Sequence, residues 1–246
     1  MVTGTENLLG EFIGTTVLLV FGCGVCANLT LEKSKGQASG WVNIAIGWGF
    51  AVTLGVFTAT TLGAPQGDLN PAVTFGKMLV GIYTFQQFIM TAIVQLLGGI
   101  LGATIVWLAY LPHWAETKDP AAKLGVFCTA PAIRNIPCAF LCEFIATFFL
   151  MFVIWMIFSK PVGNMVPGYG PYIVGVLIWA LGLSLGGPTG YAMNPARDLG
   201  PRIAHAILPI AGKGSSDWGY AWIPVVAPLC GALVAYLVAS SCGVLG

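Results

Sequence analysis

The sequence predicts an all-α membrane protein with six transmembrane helices and two re-entrant half-helices, arranged as inverted three-span repeats. Three observations predict it. Of 246 residues, 57% are hydrophobic and 8% charged, against roughly 25% charged in a soluble domain. Six apolar stretches approach the ~20 residues that cross ~30 Å of hydrocarbon. Two Asn-Pro-Ala segments recur 124 residues apart in matching surroundings. With a mean hydropathy of +0.86, the chain has too few charges to cover a soluble surface. Disorder and a secreted disulfide scaffold are excluded by the same composition. A net charge of +1 offers no basic face to a nucleic acid.

The spans are expected at about 8–29, 41–62, 86–111, 138–159, 171–187 and 220–242, the fifth being the shortest. Loops fall at Glu32–Gly40, at Pro112–Asn135 (the longest and most polar) and at Lys160–Pro171. The first apolar run follows Glu6 rather than a basic segment, so no cleavable signal peptide is expected. Residues 1–246 read as one integral membrane domain, with repeat one over about 8–111 and repeat two over about 138–242.

Two further apolar pieces are too short to span. They start at Asn70-Pro71-Ala72 and at Asn194-Pro195-Ala196, after the Gly/Pro-rich approaches 63–67 and 186–190. About ten helical residues reach ~15 Å, half a bilayer. Irregular backbone at membrane depth is tolerated only where protein buries it or water reaches it. A pair of such segments in corresponding positions marks a pore or binding site. The correspondence extends to Gly10-Glu11-Phe12 and Cys142-Glu143-Phe144, whose glutamates lie 132 residues apart. A three-span repeat begins its second copy on the opposite side of the membrane, so the half-helices enter from opposite faces with N-termini meeting near the midplane.

Asn is a favoured N-cap and Pro a favoured first helical residue. With each side-chain carbonyl capping its helix, each amide NH2 is a donor aimed across the midplane, beside two positive dipole ends. A narrow pore there would offer donors to oxygen atoms and repel cations and protons. Arg197 at membrane depth is a functional candidate by default; Glu11 and Glu143 carry the same cost and are read as structural. Their expected partners are backbone N–H groups of the irregular loops, leaving loop carbonyls for the pore; a proton relay is the alternative. Cys23 and Cys26 form a C-x-x-C, more simply read as small buried residues than as a metal or redox site. No Ser/His pair, His-rich metal set or nucleotide loop stands at membrane depth. No catalytic residue, metal or cofactor is therefore expected, and an enzyme is disfavoured.

The paired boxes and matched halves, from Glu11 to Trp222, resemble the aquaporin or major intrinsic protein family. The resemblance implies six spans, two half-helices, a homotetramer and one pore per protomer. It carries a filter onto Arg197, Tyr191, Gly182 and Trp48, with Phe50 the second choice at the last position. Gly182 would leave room for the Tyr191 ring; Trp48 and Tyr191 would form an apolar corner, with Arg197 donating to hydroxyls opposite. Asp198 also matches the glycerol-conducting branch and would stabilise its half-helix N-terminus. The resemblance thus implies a passive channel for glycerol, water and other small uncharged solutes such as dihydroxyacetone, urea or protonated lactic acid. A water-dominant channel and a proton-coupled transporter are the alternatives. Asp68 stands where the family commonly has His, after a loop longer by about two residues; it would cap the half-helix, pair with a loop donor or face the pore. Tyr191 in place of the commoner Phe adds a hydroxyl to the slot. Family analogy puts the protein in the plasma membrane with cytoplasmic termini. That orientation leaves Lys77 and Lys160 inside and Lys33, Lys35, Lys118, Lys123, Arg134 and Lys213 outside, against the usual bias.

Overall fold

A computed structural model of the chain describes residues 5–245. The first half runs α1 (Leu8–Thr30), α2 (Trp41–Thr61), α3 (Pro71–Leu79) and α4 (Phe85–Ala109). Two short helices follow, α5 (Leu111–Glu116) and α6 (Pro120–Phe127). The second half is α7 (Ile136–Ile157), α8 (Tyr169–Leu185), α9 (Pro195–Ile207) and α10 (Ile223–Ser241). Among the described residues, five helices are long and apolar enough to cross a bilayer. The 17-residue α8, about 25 Å long, makes the sixth at the lower limit of a span. All six begin and end within three residues of the bounds read from sequence.

The halves interlock. In each, the first span packs against the other two spans of its own half: α1 on α2 and α4, α7 on α8 and α10. Each half-helix, by contrast, lies most heavily on the last span of the other half, α9 on α4 and α3 on α10. Lipid chains give no hydrophobic drive between helices, so small residues and close backbone approach do the packing. A Cβ at Gly98 of α4 would fall 2.4 Å from the Phe12 carbonyl of α1, and one at Gly231 of α10 2.5 Å from the Phe144 carbonyl of α7. These equivalent crossings admit only hydrogen.

The segment 112–135, expected as loop, contains α5 and α6. The Asp119 side chain caps Ala121 N at 2.8 Å with Pro120 in the first turn, the N-terminal signature that starts a helix even in a polar stretch. Lys123, buried on α6, donates to the Ala211 carbonyl. At the end of α9, Lys213 Nζ donates to the carbonyls of His205, Ala206 and Leu208 at 2.6–2.8 Å. An ammonium there satisfies orphan carbonyls and meets the negative dipole end.

Arg134 and Asp217 tie two loops on this same side at 2.5 and 2.8 Å. The Arg134 guanidinium holds the Asp217 carboxyl below its ordinary 3.8. A depressed folded-state value contributes stability above the unfolded value, lost as pH falls through the folded one. For this partly exposed pair the contribution is under about 1 kcal/mol. The thermal midpoint of the unmodified protein is therefore expected to fall slightly more than that of Asp217→Asn between about pH 5 and pH 3. Parallel curves would show that the pair contributes nothing.

Candidate pore and filter

The two re-entrant loops adopt one backbone shape twice. Gly67 and Leu69 before Asn70 have φ of 50° and 53°; Tyr191 and Met193 before Asn194 have 39° and 47°. Left-handed backbone costs a side-chain-bearing residue roughly 1–2 kcal/mol, so something must hold it. Glu11 Oε1 and Oε2 accept from Asp68 N at 2.7 Å and Leu69 N at 2.8 Å. Glu143 does the same for Ala192 N at 2.9 Å and Met193 N at 2.8 Å. Both carboxylates are fully buried. Each binds two successive N–H groups, a geometry in which a carboxylate is strongly stabilised. Gln95 Nε2 adds a bond to Glu11 at 2.9 Å.

Pro71 and Pro195 occupy the first turns of α3 and α9. Asn70 Oδ1 caps Ala72 N at 2.9 Å; Asn194 Oδ1 caps Ala196 N at 2.9 Å and Arg197 N at 3.1 Å. The amide groups then cross between halves. Asn70 Nδ2 donates to the Met193 carbonyl and Asn194 Nδ2 to the Leu69 carbonyl, both at 2.8 Å. One N–H of each amide is thus committed to the opposite loop. The sequence reading, which left both free, is corrected to one donor per asparagine, because the inverted loops meet at hydrogen-bond distance.

A cavity of about 470 Å³ runs from this midplane pair in both directions. Val52, Val56, Ile154 and Ile178 give it an apolar wall; Trp48, Tyr191 and Arg197 close one end, and Lys77, Gln66 and Phe158 line the other. Of the two positions considered on α2, Trp48 lines the cavity and Phe50 lies exposed on the outer face. Gly182 lies behind Tyr191: a Cβ there would come 2.7 Å from Tyr191 Cζ and 2.8 Å from its hydroxyl. That hydroxyl is buried against Gly182 with no hydrogen-bond partner among the described residues. Tyr191 therefore gives the cavity its ring rather than a new polar group. Trp41 braces the ring edge-on at 5.8 Å and donates to the Gly182 carbonyl at 2.8 Å.

Arg197 departs from the expected layout. Its guanidinium carbon lies 3.8 Å from the centre of the Trp48 ring, on its face rather than across an open slot. Gly22 leaves the space that Trp48 fills from behind. A cation on Trp is held by about 0.5–2 kcal/mol, and Nη1 also donates to the Phe127 carbonyl at 3.3 Å. That anchor is a backbone group, invisible to side-chain patterns.

Asp198 faces away from the cavity. Oδ1 pairs with Arg202 at 2.8–2.9 Å, both side chains fully buried, and Oδ2 accepts from Thr129 N and Oγ1 at 2.7 Å. Arg202 also donates to the carbonyls of Thr129, Ser216 and Asp217. The pair fastens two loops to α9, one of them directly after the anchoring Phe127. Sequence reasoning missed Arg202, although opposite charges four residues apart on a helix are a readable signal. Asp68 does not cap α3, and the Tyr83 hydroxyl of the following loop faces its buried carboxylate. Its partner is Lys77 on the last turn of α3, at 2.5 Å. Cys23 and Cys26 are buried free thiols on α1.

These features define a multi-pass α-helical membrane protein with a pore-like cavity formed by two inverted re-entrant loops within one chain. Residues 2–239 match the family described as Major intrinsic protein, and the chain belongs to that family. It is 52% identical over 92% of both chains to glycerol uptake facilitator protein 3 of Lactiplantibacillus plantarum. It is 41% identical, over 94% of both, to the D/L-lactic acid transporter of the same organism. The X-ray structure of the aquaglyceroporin from Plasmodium falciparum superimposes with a TM-score of 0.85 at 28% identity, covering 98% of each chain.

Proposed function

We propose that the protein is a passive channel for glycerol and other small uncharged solutes, including water, that excludes ions and protons and performs no covalent chemistry. The observation that carries this reading is the filter: Arg197 on the Trp48 face beside the Tyr191 ring, with Gly182 making room. A polyol sliding along the ring edges places its carbons on Trp48 and Tyr191. Its hydroxyls accept from the Arg197 N–H groups that Phe127 leaves unused. Parting the guanidinium from Trp48 costs about 0.5–2 kcal/mol, which hydrogen bonds to a charged donor offset. Farther in, one remaining N–H on each of Asn70 and Asn194, and the two half-helix N-termini, favour oxygen atoms and repel cations. Glycerol uptake in the names of relatives supports the same solute class, and a lactic acid transporter among them supports including the protonated acid. Bonding of both buried glutamates to loop N–H groups favours holding the pore's shape over relaying protons. Family membership supports a homotetramer in the plasma membrane with cytoplasmic termini.

Stopped-flow light scattering on proteoliposomes tests the reading. Fast, non-saturating glycerol entry without acidification of the lumen is expected. Saturating, proton-linked uptake would replace the channel with a transporter. In Arg197→Ala, permeability to ions or bulkier polyols is expected to rise about tenfold or more, as removal of a pore charge lowers an electrostatic barrier. Unchanged discrimination would move the filter elsewhere.

A further inference from the structure

The end of the cavity opposite Arg197 carries a second charged arrangement. Lys77 Nζ donates to Asp68 Oδ1 at 2.5 Å and to the Gln66 carbonyl at 3.1 Å. The Lys77 side chain retains 14% exposure, while that of Asp68 is fully buried behind it. Lys77, Gln66 and Asp68 all line the cavity. An ammonium has three donors, so one N–H stays available beside the wall. The Gln66 carbonyl next to it has a second lone pair. A donor adjoining an acceptor matches a hydroxyl, which is both at once. Asp68 meanwhile has no freedom to leave: Glu11 holds its backbone N–H and the Tyr83 hydroxyl faces its carboxylate from the protein side.

We propose that Lys77, with the Gln66 carbonyl, forms a second solute-binding station that reads polyol hydroxyls. Asp68 is its positioning residue: it latches the ammonium to the wall and cancels its charge, so that the mouth does not trap carboxylate anions. Lys77 thus complements Arg197 at the far end of the path, one cation shielded by a ring and the other by a carboxylate. This rests on the reading of the cavity as a solute path.

The test compares glycerol entry with water efflux in proteoliposomes, with and without sodium lactate at about pH 7.5, where a carboxylic acid is ionised. Lys77→Met alone would strand a buried carboxylate, so the donor is removed in the double variant Asp68→Asn/Lys77→Met. Its glycerol-to-water ratio is expected to fall about three- to tenfold, the scale of one lost hydrogen bond. Asp68→Asn/Lys77→Gln, which keeps an N–H donor, is expected to recover the ratio. Asp68→Asn alone leaves an ammonium with no counter-charge at the mouth, and lactate is expected to slow its glycerol entry about threefold or more, an effect absent from the unmodified protein. Water efflux in each variant shows that the pore has folded; should Asp68→Asn lose it, the two double variants carry the test. An unchanged ratio in Asp68→Asn/Lys77→Met, or glycerol entry indifferent to lactate in a folded Asp68→Asn, overturns the station. No glycerol entry in the unmodified protein would overturn the channel reading itself.

Discussion

Gly182→Val is expected to cut glycerol entry more than about tenfold, a barrier increase of at least about 1.4 kcal/mol, with a smaller loss of water efflux. The first added carbon would already sit 2.7 Å from Tyr191 Cζ and 3.1 Å from Ala45 Cβ. Neither side can yield easily. Tyr191 sits in left-handed backbone, and Glu143 grips the two amides that follow it. Trp41 stands edge-on against the ring, so the displaced ring turns into the cavity, where a three-carbon solute feels it before a water molecule does. Adding Tyr191→Ala to Gly182→Val removes the intruding ring and is expected to restore much of the flux. Equal glycerol permeability in Gly182→Val and the unmodified protein would show that this position does not set the constriction.

Arg202→Met is expected to be the most damaging single change to stability. It leaves the Asp198 carboxylate fully buried with only Thr129 to answer it, and breaking a buried pair from one side costs about 3–5 kcal/mol. For a chain of this size that corresponds to a fall of roughly 10 °C in thermal midpoint, readable from tryptophan fluorescence in detergent. Asp198→Asn/Arg202→Met, which removes both charges and keeps an acceptor for Thr129, is expected to recover most of the loss, since neutral replacement of a buried pair is often tolerated. A large coupling in the resulting double-mutant cycle would assign the cost to the pair; additive losses would assign it to separate contacts with the loops.

The spans were legible because lipid demands length and apolarity, and little else competes with that demand. The half-helices were legible because Asn-Pro states a helix start in two residues, and its recurrence with Glu11 and Glu143 states a repeat. Other parts depended on distances that no local pattern encodes. The Phe127 carbonyl that anchors Arg197 is main chain. Asp68 and Lys77 meet across nearly the whole of α3, a pairing outside the three- and four-residue spacings that helices advertise. The buried setting of the Tyr191 hydroxyl follows from how closely Gly182 approaches, not from residue type. Asp119-Pro120 did carry a start signal for α6, hidden in a segment whose polarity reads as loop.

The crossed bonds at the midplane have a consequence for how such a chain is put together. Each loop gives an amide and receives one, through the same atoms at equivalent positions. That is an isologous contact, the kind two identical subunits make across a two-fold axis, here contained in a single polypeptide. During synthesis the Leu69 carbonyl and the Asn70 amide exist before residues 193 and 194 have left the ribosome, so the first loop has no mate until the second half arrives. A three-span fragment expressed alone would carry both halves of the clasp, and a second copy inserted in the opposite orientation would be the natural partner to close it.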